Sequence, residues 1–158
     1  MTAGDPRPER VILLVEDSAA DAMLVKEAFG QGSVSLTIHE CTSGTEGLAF
    51  LRRQGDYADA PVPDLVLLDI NMPGMNGLEM LREIKACAVM QQIPVIMLTS
   101  SSADRDLDAA YRIGANSYVV KPMSLSGLQE AALKIEGFWL SLATPPPRRS
   151  TVRKYDPT

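Results

Sequence analysis

The chain has 158 residues, of which 46% are hydrophobic and 22% charged, so it can bury the core of one globular domain. The formal net charge of −5 disfavours nucleic-acid binding, which normally requires a basic surplus on the domain. No apolar run reaches the roughly 20 residues that a membrane helix needs, and Cys41 and Cys87 form no C-x-x-C pair, so we expect a cytoplasmic protein with reduced thiols.

Short apolar runs alternate with segments of helical spacing along the chain. The run VILLV at 11–15 is wholly apolar, as expected for a strand covered on both faces. In chain order we place strand 11–15, helix 18–29, strand 34–39, helix 43–55, strand 64–69, helix 78–85, strand 93–99, helix 104–114, strand 118–121 and a last helix after Ser124. The stretch 56–63 contains two prolines and predicts a loop.

This alternation of five strands and five helices predicts a parallel sheet with right-handed crossover connections. The expected fold is an α/β, flavodoxin-like (βα)5 three-layer sandwich with strand order 2-1-3-4-5. Residues 1–10 lack the apolar stretch of a signal peptide, and we expect them to be a disordered N-terminal segment. Residues 11–142 form the domain, and residues 143–158 form a proline-containing C-terminal tail or dimerisation arm.

Polar side chains stand at the ends of four of the predicted strands. Glu16 and Asp17 follow the first strand, and Asp69 ends the third. Thr99 ends the fourth strand and Lys121 the fifth. Because the carboxyl ends of parallel strands lie at one edge of the sheet, where ligands bind in such folds, we expect these side chains to converge.

Three carboxylates at one edge repel one another, so the site requires a cation. Mg²⁺ prefers carboxylates, a backbone carbonyl and water, and the main chain of Asn71 can supply the carbonyl. A carboxylate beside Mg²⁺ can attack a phosphoryl group and form an aspartyl phosphate. The ammonium of Lys121 and the hydroxyl of Thr99 can then bind the phosphoryl oxygens.

Each of these residues also fits a structural role when it is taken alone. Glu16 and Asp17 can be helix caps, Thr99 can begin a serine-rich capping run at 100–102, and Lys121 can be a surface lysine at a turn. Their joint placement at one edge favours the phosphoryl-acceptor interpretation.

Four segments carry a resemblance to a known family. They are LLVEDS at 13–18, LVLLDINMPGMNGLEML at 65–81, PVIMLTSS at 94–101 and GANSYVVKP at 114–122. With this spacing the chain resembles the receiver domains of bacterial two-component response regulators, from about Val11 to Leu142. The resemblance implies a phosphoacceptor signalling protein that catalyses its own phosphorylation and a slow dephosphorylation.

The resemblance also implies a role for each matching residue. Asp69 is the phosphoacceptor, and the metal ligands are Asp17, Glu16 (often through water), Asp69 and the backbone carbonyl of Asn71. Thr99 and Lys121 bind the phosphoryl oxygens. Tyr118 matches the switch aromatic that turns inward as the threonine moves, although it can also be a half-buried strand residue. Pro122 matches a proline that a cis peptide bond commonly precedes.

More narrowly, the chain resembles the single-domain regulators that are paired with phytochrome-type sensor kinases. The features are the proline-bearing loop at 57–63, the segment GANSYVVKP and the ending EGFWLSLATPPP. The partner that this resemblance implies is a light-sensing histidine kinase, a bacteriophytochrome, and dimers are common in the subgroup.

The last helix and the tail are the candidate dimer interface. Apolar residues recur there at helical spacing, and part of this stripe packs on the sheet. Phe138, Trp139 and Leu142 come late, where aromatic side chains suit an interface, so we expect a homodimer. After Ala143 the prolines stiffen the chain into an extended arm, with a disordered end as the alternative.

Other classes of function fit less well. Phosphatases that form an aspartyl phosphate place a second Asp two residues after the nucleophile, where this chain has Asn71. A nucleotide-binding module requires a glycine-rich loop after the first strand, where this chain has EDSAAD. His39 lies in a predicted strand, which argues against a phosphodonor histidine. A DNA-binding output domain would need roughly 60 further residues.

Overall fold

The computed structural model describes residues 9–32 and 34–146. Its elements are β1 (Arg10–Val15), α1 (Ala19–Phe29), β2 (Leu36–Cys41), α2 (Gly44–Arg52), β3 (Leu65–Leu68), α3 (Gly77–Ala86), β4 (Val95–Thr99), α4 (Asp104–Ile113), β5 (Ser117–Val120) and α5 (Leu125–Ile135). A 3-10 turn spans Gly55–Tyr57, and a π-helix spans Glu136–Leu142. The sheet is parallel, with the order β2-β1-β3-β4-β5. The predicted flavodoxin-like fold is confirmed.

The three central strands are apolar on both faces because helices cover both sides of the sheet. Successive strand residues point to opposite faces, so Leu13 and Val15 pack with α2, α3 and α4, whereas Ile12 and Leu14 pack with α1 and α5. All of these side chains are fully or almost fully buried. The two apolar layers fix the sheet and, with it, the relative positions of the strand ends.

Serine and asparagine side chains mark the beginnings of the helices. Ser18, Ser43 and Ser124 each accept a hydrogen bond from a backbone N–H three residues further on, at 3.2, 3.1 and 3.0 Å respectively, so these three helices begin where the sequence analysis placed them. Asn76 caps α3 in the same way, and the carboxylate of Glu79 accepts a hydrogen bond from the backbone N–H of Asn76. These caps begin four of the helices at the same edge of the sheet.

The second strand differs from its predicted span of 34–39, since β2 runs over Leu36–Cys41. It is an edge strand that pairs with β1 alone, and its register sets Val15 opposite Cys41. The residues of an edge strand are only partly buried, so composition does not show clearly where the strand begins and ends. The pairing with β1 determines both ends. His39 lies on this edge strand, with its ring centroid 5.2 Å from that of Phe50.

The last helix departs from α-helical geometry. After α5 the chain continues as the π-helix, whose wider turn changes which side chains share a face. Trp139 packs against the apolar layer beneath α1 and α5, whereas Phe138 is 50% exposed and Leu142 75% exposed. Leu133, on the preceding turn, is also exposed. Apolar side chains therefore remain on the outer surface of this helical extension.

Glu136 is the first residue of the π-helix and is buried, with 2% of its surface exposed. Its Oε1 has no hydrogen-bond partner among residues 9–32 and 34–146. Its carboxyl group lies directly against Gly32, where a β-carbon would collide with it. Burial raises the pKa of the Glu136 carboxyl group, because the charged form loses its hydration.

We expect the variant Glu136→Gln to be more stable than the wild type at pH 8, by about 1 kcal/mol, because a buried neutral amide costs less than a buried charge. A raised pKa in the folded state means that stability is lost as pH rises through the folded pKa. The advantage of the variant should therefore disappear near pH 4.5, the ordinary pKa of a glutamate. Urea unfolding at both pH values measures this, and an equal advantage at both would contradict it.

The two ends of the described chain lie at the sheet edge where the strands begin. A cavity of about 210 Å³ there is lined by Arg10, Asp64, Trp139, Pro145 and Pro146, together with other residues. The predicted segments 1–10 and 143–158 lie largely outside the described residues, although Arg10 begins β1 and the carboxylate of Glu9 accepts a hydrogen bond from Thr37. No helix among the described residues is long and apolar enough to cross a bilayer.

Candidate functional site

The carboxyl ends of four strands bring the predicted site residues together. Val15 lies opposite Leu68 and Thr99 opposite Val120 in the register of the sheet, so the residues that follow these strands are neighbours. The structure places all of the predicted strand-end residues at this edge, namely Glu16, Asp17, Asp69, Thr99 and Lys121.

Three carboxylates form the centre of this edge. One oxygen from each of Glu16, Asp17 and Asp69 lies within 4.8 Å of the others. Glu16 and Asp69 are buried, whereas Asp17 is exposed and opens the group to solvent. Burial raises the pKa of Glu16 to about 7, the charge of Asp69 adds to the rise, and the hydrogen bond from Lys121 opposes it. Carboxylates held this closely favour a bound cation.

The ammonium of Lys121 is the cation that the chain itself supplies. Its side chain is 11% exposed, and its Nζ donates hydrogen bonds to Glu16 and, at 3.2 Å, to Asp21. The Nζ also lies 3.6 Å from Oδ2 of Asp69. Burial alone would lower the pKa of Lys121, but the surrounding carboxylates outweigh it and raise that pKa, so the lysine stays charged. The sequence analysis did not predict Asp21 as part of this group.

Asp69 is oriented by its own loop. Its Oδ1 accepts a hydrogen bond of 2.8 Å from the backbone N–H of Ile70, which leaves Oδ2 as the oxygen that faces Lys121. The N–H of Gly77 donates to the carbonyl of Ile70 at 2.9 Å, and a β-carbon at Gly77 would overlap the carbonyl oxygen of Asp69. Asn71 follows on the exposed side of the loop. The first turn of α3 thus packs directly against the backbone of Asp69.

The oxygen atoms of this group fit a hard divalent cation. Mg²⁺ takes carboxylate and carbonyl oxygens and keeps several waters, which the open side at Asp17 allows. No nitrogen or sulfur ligand belongs to the group, so its chemistry does not favour zinc or copper. The residues present therefore suit the predicted Mg²⁺ ion.

A second set of contacts links Thr99 to Tyr118 through the loop between β4 and α4. Thr99 is fully buried, and its Oγ1 accepts a hydrogen bond of 3.4 Å from the N–H of Ser101. The hydroxyl of Ser101 donates to Asp106 at 2.6 Å, and the hydroxyl of Tyr118 donates to the carbonyl of Ser101 at 2.8 Å. One loop residue thus contacts the strand-end threonine, the following helix and the aromatic residue of β5.

The peptide bond before Pro122 is trans, as are the other peptide bonds of the described residues. The expectation of a cis bond at this position is therefore wrong for this structure. A trans bond before proline is favoured by about 0.5–1 kcal/mol, so a cis bond requires local packing that outweighs this preference.

Comparison with known proteins assigns the class to which this fold and site belong. The model of the family described as response regulator receiver domain matches residues 12–133. The chain therefore belongs to the response regulator receiver domain family. Proteins of this family are phosphoacceptor components of two-component signalling.

Within this family, the chain is similar to regulators of phytochrome systems. It is 39% identical over 142 residues to response regulator Rcp1 of Synechocystis sp.. The aligned region covers 90% of this chain and 97% of that protein. Two solved structures are also similar. The phosphorylated cyanobacterial phytochrome response regulator RcpA is 40% identical, with a TM-score of 0.84 over 88% of this chain and 99% of that one. The Mn²⁺-bound form of Rcp1 is 40% identical, with a TM-score of 0.81 over 87% and 99% respectively.

Proposed function

We propose that this chain is a response regulator that accepts a phosphoryl group on Asp69 from a sensor histidine kinase, in a Mg²⁺-dependent reaction. The observation that carries the proposal is the position of the Lys121 ammonium, 3.6 Å from Oδ2 of Asp69 and in contact with the carboxylates of Glu16 and Asp21. A cation in this place can bind the oxygens of a phosphoryl group on Asp69 without a large movement of the backbone.

In the proposed reaction, Oδ2 of Asp69 is the nucleophile, since Oδ1 is engaged by the N–H of Ile70. A new O–P bond forms on Asp69 while the P–N bond to the kinase histidine breaks. The electron pair of the broken bond returns to the imidazole, which leaves as a neutral ring with the proton on its other nitrogen. Attack by water on the same acyl phosphate later restores the carboxylate, which accounts for slow self-dephosphorylation.

The residues around Asp69 have distinct tasks. Glu16, Asp17, Asp69 and the carbonyl of Asn71 would hold the Mg²⁺ ion, which when bound supplies positive charge to neutralise the phosphoryl oxygens. Lys121 donates a hydrogen bond to a phosphoryl oxygen. To do so, it has to give up part of its present contacts with Glu16 and Asp21.

The proposed switch runs through the loop between β4 and α4. Thr99 at present accepts a hydrogen bond from Ser101, and its hydroxyl can turn to donate to a phosphoryl oxygen instead. That rotation ends the contact with Ser101, whose carbonyl also binds the hydroxyl of Tyr118. Phosphorylation would therefore bias an existing equilibrium between two arrangements of this loop and of Tyr118.

The experiment that tests the acceptor role is intact mass spectrometry after incubation with Mg²⁺ and acetyl phosphate. We expect the wild type to gain about 80 Da, one phosphoryl group in place of a proton. The gain should require Mg²⁺ and disappear in Asp69→Asn. The variant Asp108→Asn makes the same chemical change in an exposed ion pair with Arg112, and it should label as the wild type does. Equal labelling of Asp69→Asn and the wild type would reject the proposal.

The proposed partner is a phytochrome-type histidine kinase. The support is the similarity to Rcp1 and to the phytochrome response regulator RcpA over most of the chain. The proposal also places the protein in the cytoplasm, where the free thiols of Cys41 and Cys87 stay reduced.

We further propose a homodimer through the end of the chain. The support is the row of exposed apolar side chains on α5 and the π-helix, namely Leu133, Phe138 and Leu142, beside the half-buried Trp139. A second copy that covers these apolar side chains removes their surface from water, which favours association.

A charge in this row tests the proposed dimer. We expect light scattering at tens of micromolar to give a dimer mass for the wild type and a monomer mass for Phe138→Glu, because a carboxylate would be buried without a partner. The control is Val89→Glu, a change at an apolar residue that is 56% exposed after α3, which should stay dimeric. A monomeric wild type, with or without acetyl phosphate, would contradict the dimer.

A further inference from the structure

Asp21 is a fourth carboxylate beside the ammonium of Lys121. It lies in the first turn of α1, and its Oδ2 accepts a hydrogen bond of 3.2 Å from Nζ of Lys121. The contact joins residues that are 100 positions apart in the chain. The side chain of Asp21 is 48% exposed, so it reaches Lys121 from the solvent side of the site.

Asp21 differs from the other two carboxylates that contact Lys121. Glu16 and Asp69 belong to the group whose oxygens lie within 4.8 Å of one another, and Asp21 does not. Its only ion pair among the described residues is with Lys121. A cation bound by the carboxylate group can therefore neutralise Glu16 and Asp69, whereas Asp21 has no ion-pair partner besides Lys121 in the part of the chain that the structure describes.

We propose that Asp21 is a positioning residue that holds Lys121 in the unphosphorylated protein and competes with the phosphoryl group for its ammonium. The inference rests on the proposed function, because it assumes that Lys121 binds a phosphoryl oxygen on Asp69. Three carboxylates share one Nζ in this structure, at distances up to 3.6 Å. Each contact that Lys121 keeps with Asp21 removes a donor from the phosphoryl group and places a further negative charge near it.

The competition should be modest in size. Ion pairs with a partly exposed partner are weak, so removing the charge of Asp21 should favour the phosphorylated state by roughly two- to fivefold. Because Asp21 lies near solvent, salt should screen the effect. Both the direction of the change and its dependence on salt distinguish competition for Lys121 from a purely structural role.

The test is the dissociation constant of beryllofluoride, a phosphoryl mimic, measured with saturating Mg²⁺ by the NMR signals of Thr99 and Lys121. The variant is Asp21→Asn, and Asp21→Glu is the version that keeps the charge. Asp108→Asn is the matched control, since it removes the charge from another exposed ion pair. Each protein is measured at about 0.05 M and about 1 M salt, where the Debye length falls from roughly 14 Å to 3 Å.

We expect Asp21→Asn to bind beryllofluoride two- to fivefold more tightly than the wild type at low salt, and the difference to shrink at high salt. Asp21→Glu and Asp108→Asn should stay close to the wild type. If Asp21→Asn binds equally or more weakly while the wild type binds well, the competition is disproved. If Asp21→Asn lowers the unfolding temperature but leaves the affinity for beryllofluoride unchanged, the competition is also disproved. The role of Asp21 is then limited to its favourable charge at the helix N-terminus.

The two proposals fail in different ways. If the wild type neither binds beryllofluoride nor gains mass from a phosphodonor, both the proposed function and the proposed role of Asp21 are contradicted. A wild type that does both, with no gain in affinity for Asp21→Asn, would remove the role of Asp21 alone.

Discussion

Replacing Lys121 with alanine should slow the labelling of Asp69 by acetyl phosphate about a hundredfold to a thousandfold, the usual cost of removing one preorganised donor from developing negative charge. The ammonium lies 3.6 Å from Oδ2 of Asp69 and is 11% exposed, so water replaces it poorly. Intact mass, followed over time with saturating Mg²⁺, measures the rate.

Two comparisons show whether the loss is specific. Lys121→Arg keeps the charge but replaces a compact ammonium with a planar group, so we expect it to recover only part of the rate. Lys134→Ala removes a lysine from an exposed ion pair with Glu130 and should label at the wild-type rate. Labelling of Lys121→Ala within threefold of the wild type, with circular dichroism showing a folded protein, would contradict the role of Lys121.

The second large effect is expected at Gly77, on the other side of Asp69. A β-carbon there would overlap the carbonyl oxygen of Asp69, and the obstacle is backbone rather than a flexible side chain. Gly77→Ala should therefore destabilise the protein by about 1–3 kcal/mol through overpacking. It should also slow phosphorylation, because small displacements of a reacting group from its productive geometry are costly. Urea unfolding and the same labelling assay measure the two effects.

Gly30→Ala is the matched control for this substitution. A β-carbon at Gly30 would make only ordinary contacts, the nearest at 3.5 Å to a carbonyl oxygen, and its φ of −80° suits any residue. We expect its stability to remain within about 0.5 kcal/mol of the wild type. If both glycine variants had the same stability, the packing of α3 against Asp69 would not be as tight as described.

Much of the fold could be predicted because its local signals agree. Wholly apolar runs such as VILLV identify strands that helices cover on both faces, and Ser18, Ser43 and Ser124 mark three helix starts. The strand order followed from the alternation of strands and helices, which favoured a flavodoxin-like sheet. The span of β2 was less accurate, because an edge strand is bounded by its pairing with β1 rather than by composition.

The convergence of the site residues was also predictable, since parallel strands end at one edge. The roles proposed for Asp69, Thr99 and Lys121 remain proposals, although their positions agree with the sequence analysis. Asp21 was missed because its contact with Lys121 bridges two distant segments, and a first-turn acid is usually interpreted as favourable to the helix N-terminus. Its position four residues after Asp17, in the first turn of the predicted helix, was the available signal.

The end of the last helix could not be derived from spacing. A pattern of apolar residues with α-helical period predicts one continuous stripe, but the i→i+5 hydrogen bonds of the π-helix widen each turn and change that period. Trp139 thus packs on the core while Phe138 is exposed. Nothing in the local sequence indicated that Glu136 would be buried at this transition.

The shared cavity at the far edge of the sheet has a practical consequence for protein engineering. Arg10 and Pro146, from opposite ends of the described chain, line the same cavity, while Asp69 lies at the opposite edge, where the strands end. Ends that lie this close can be joined by a short linker, and the chain can be reopened between the exposed residues Pro61 and Val62 to give a circular permutant. Because every strand keeps its neighbours, fluorescent reporters could be inserted at the new ends without displacing the carboxylate of Asp69.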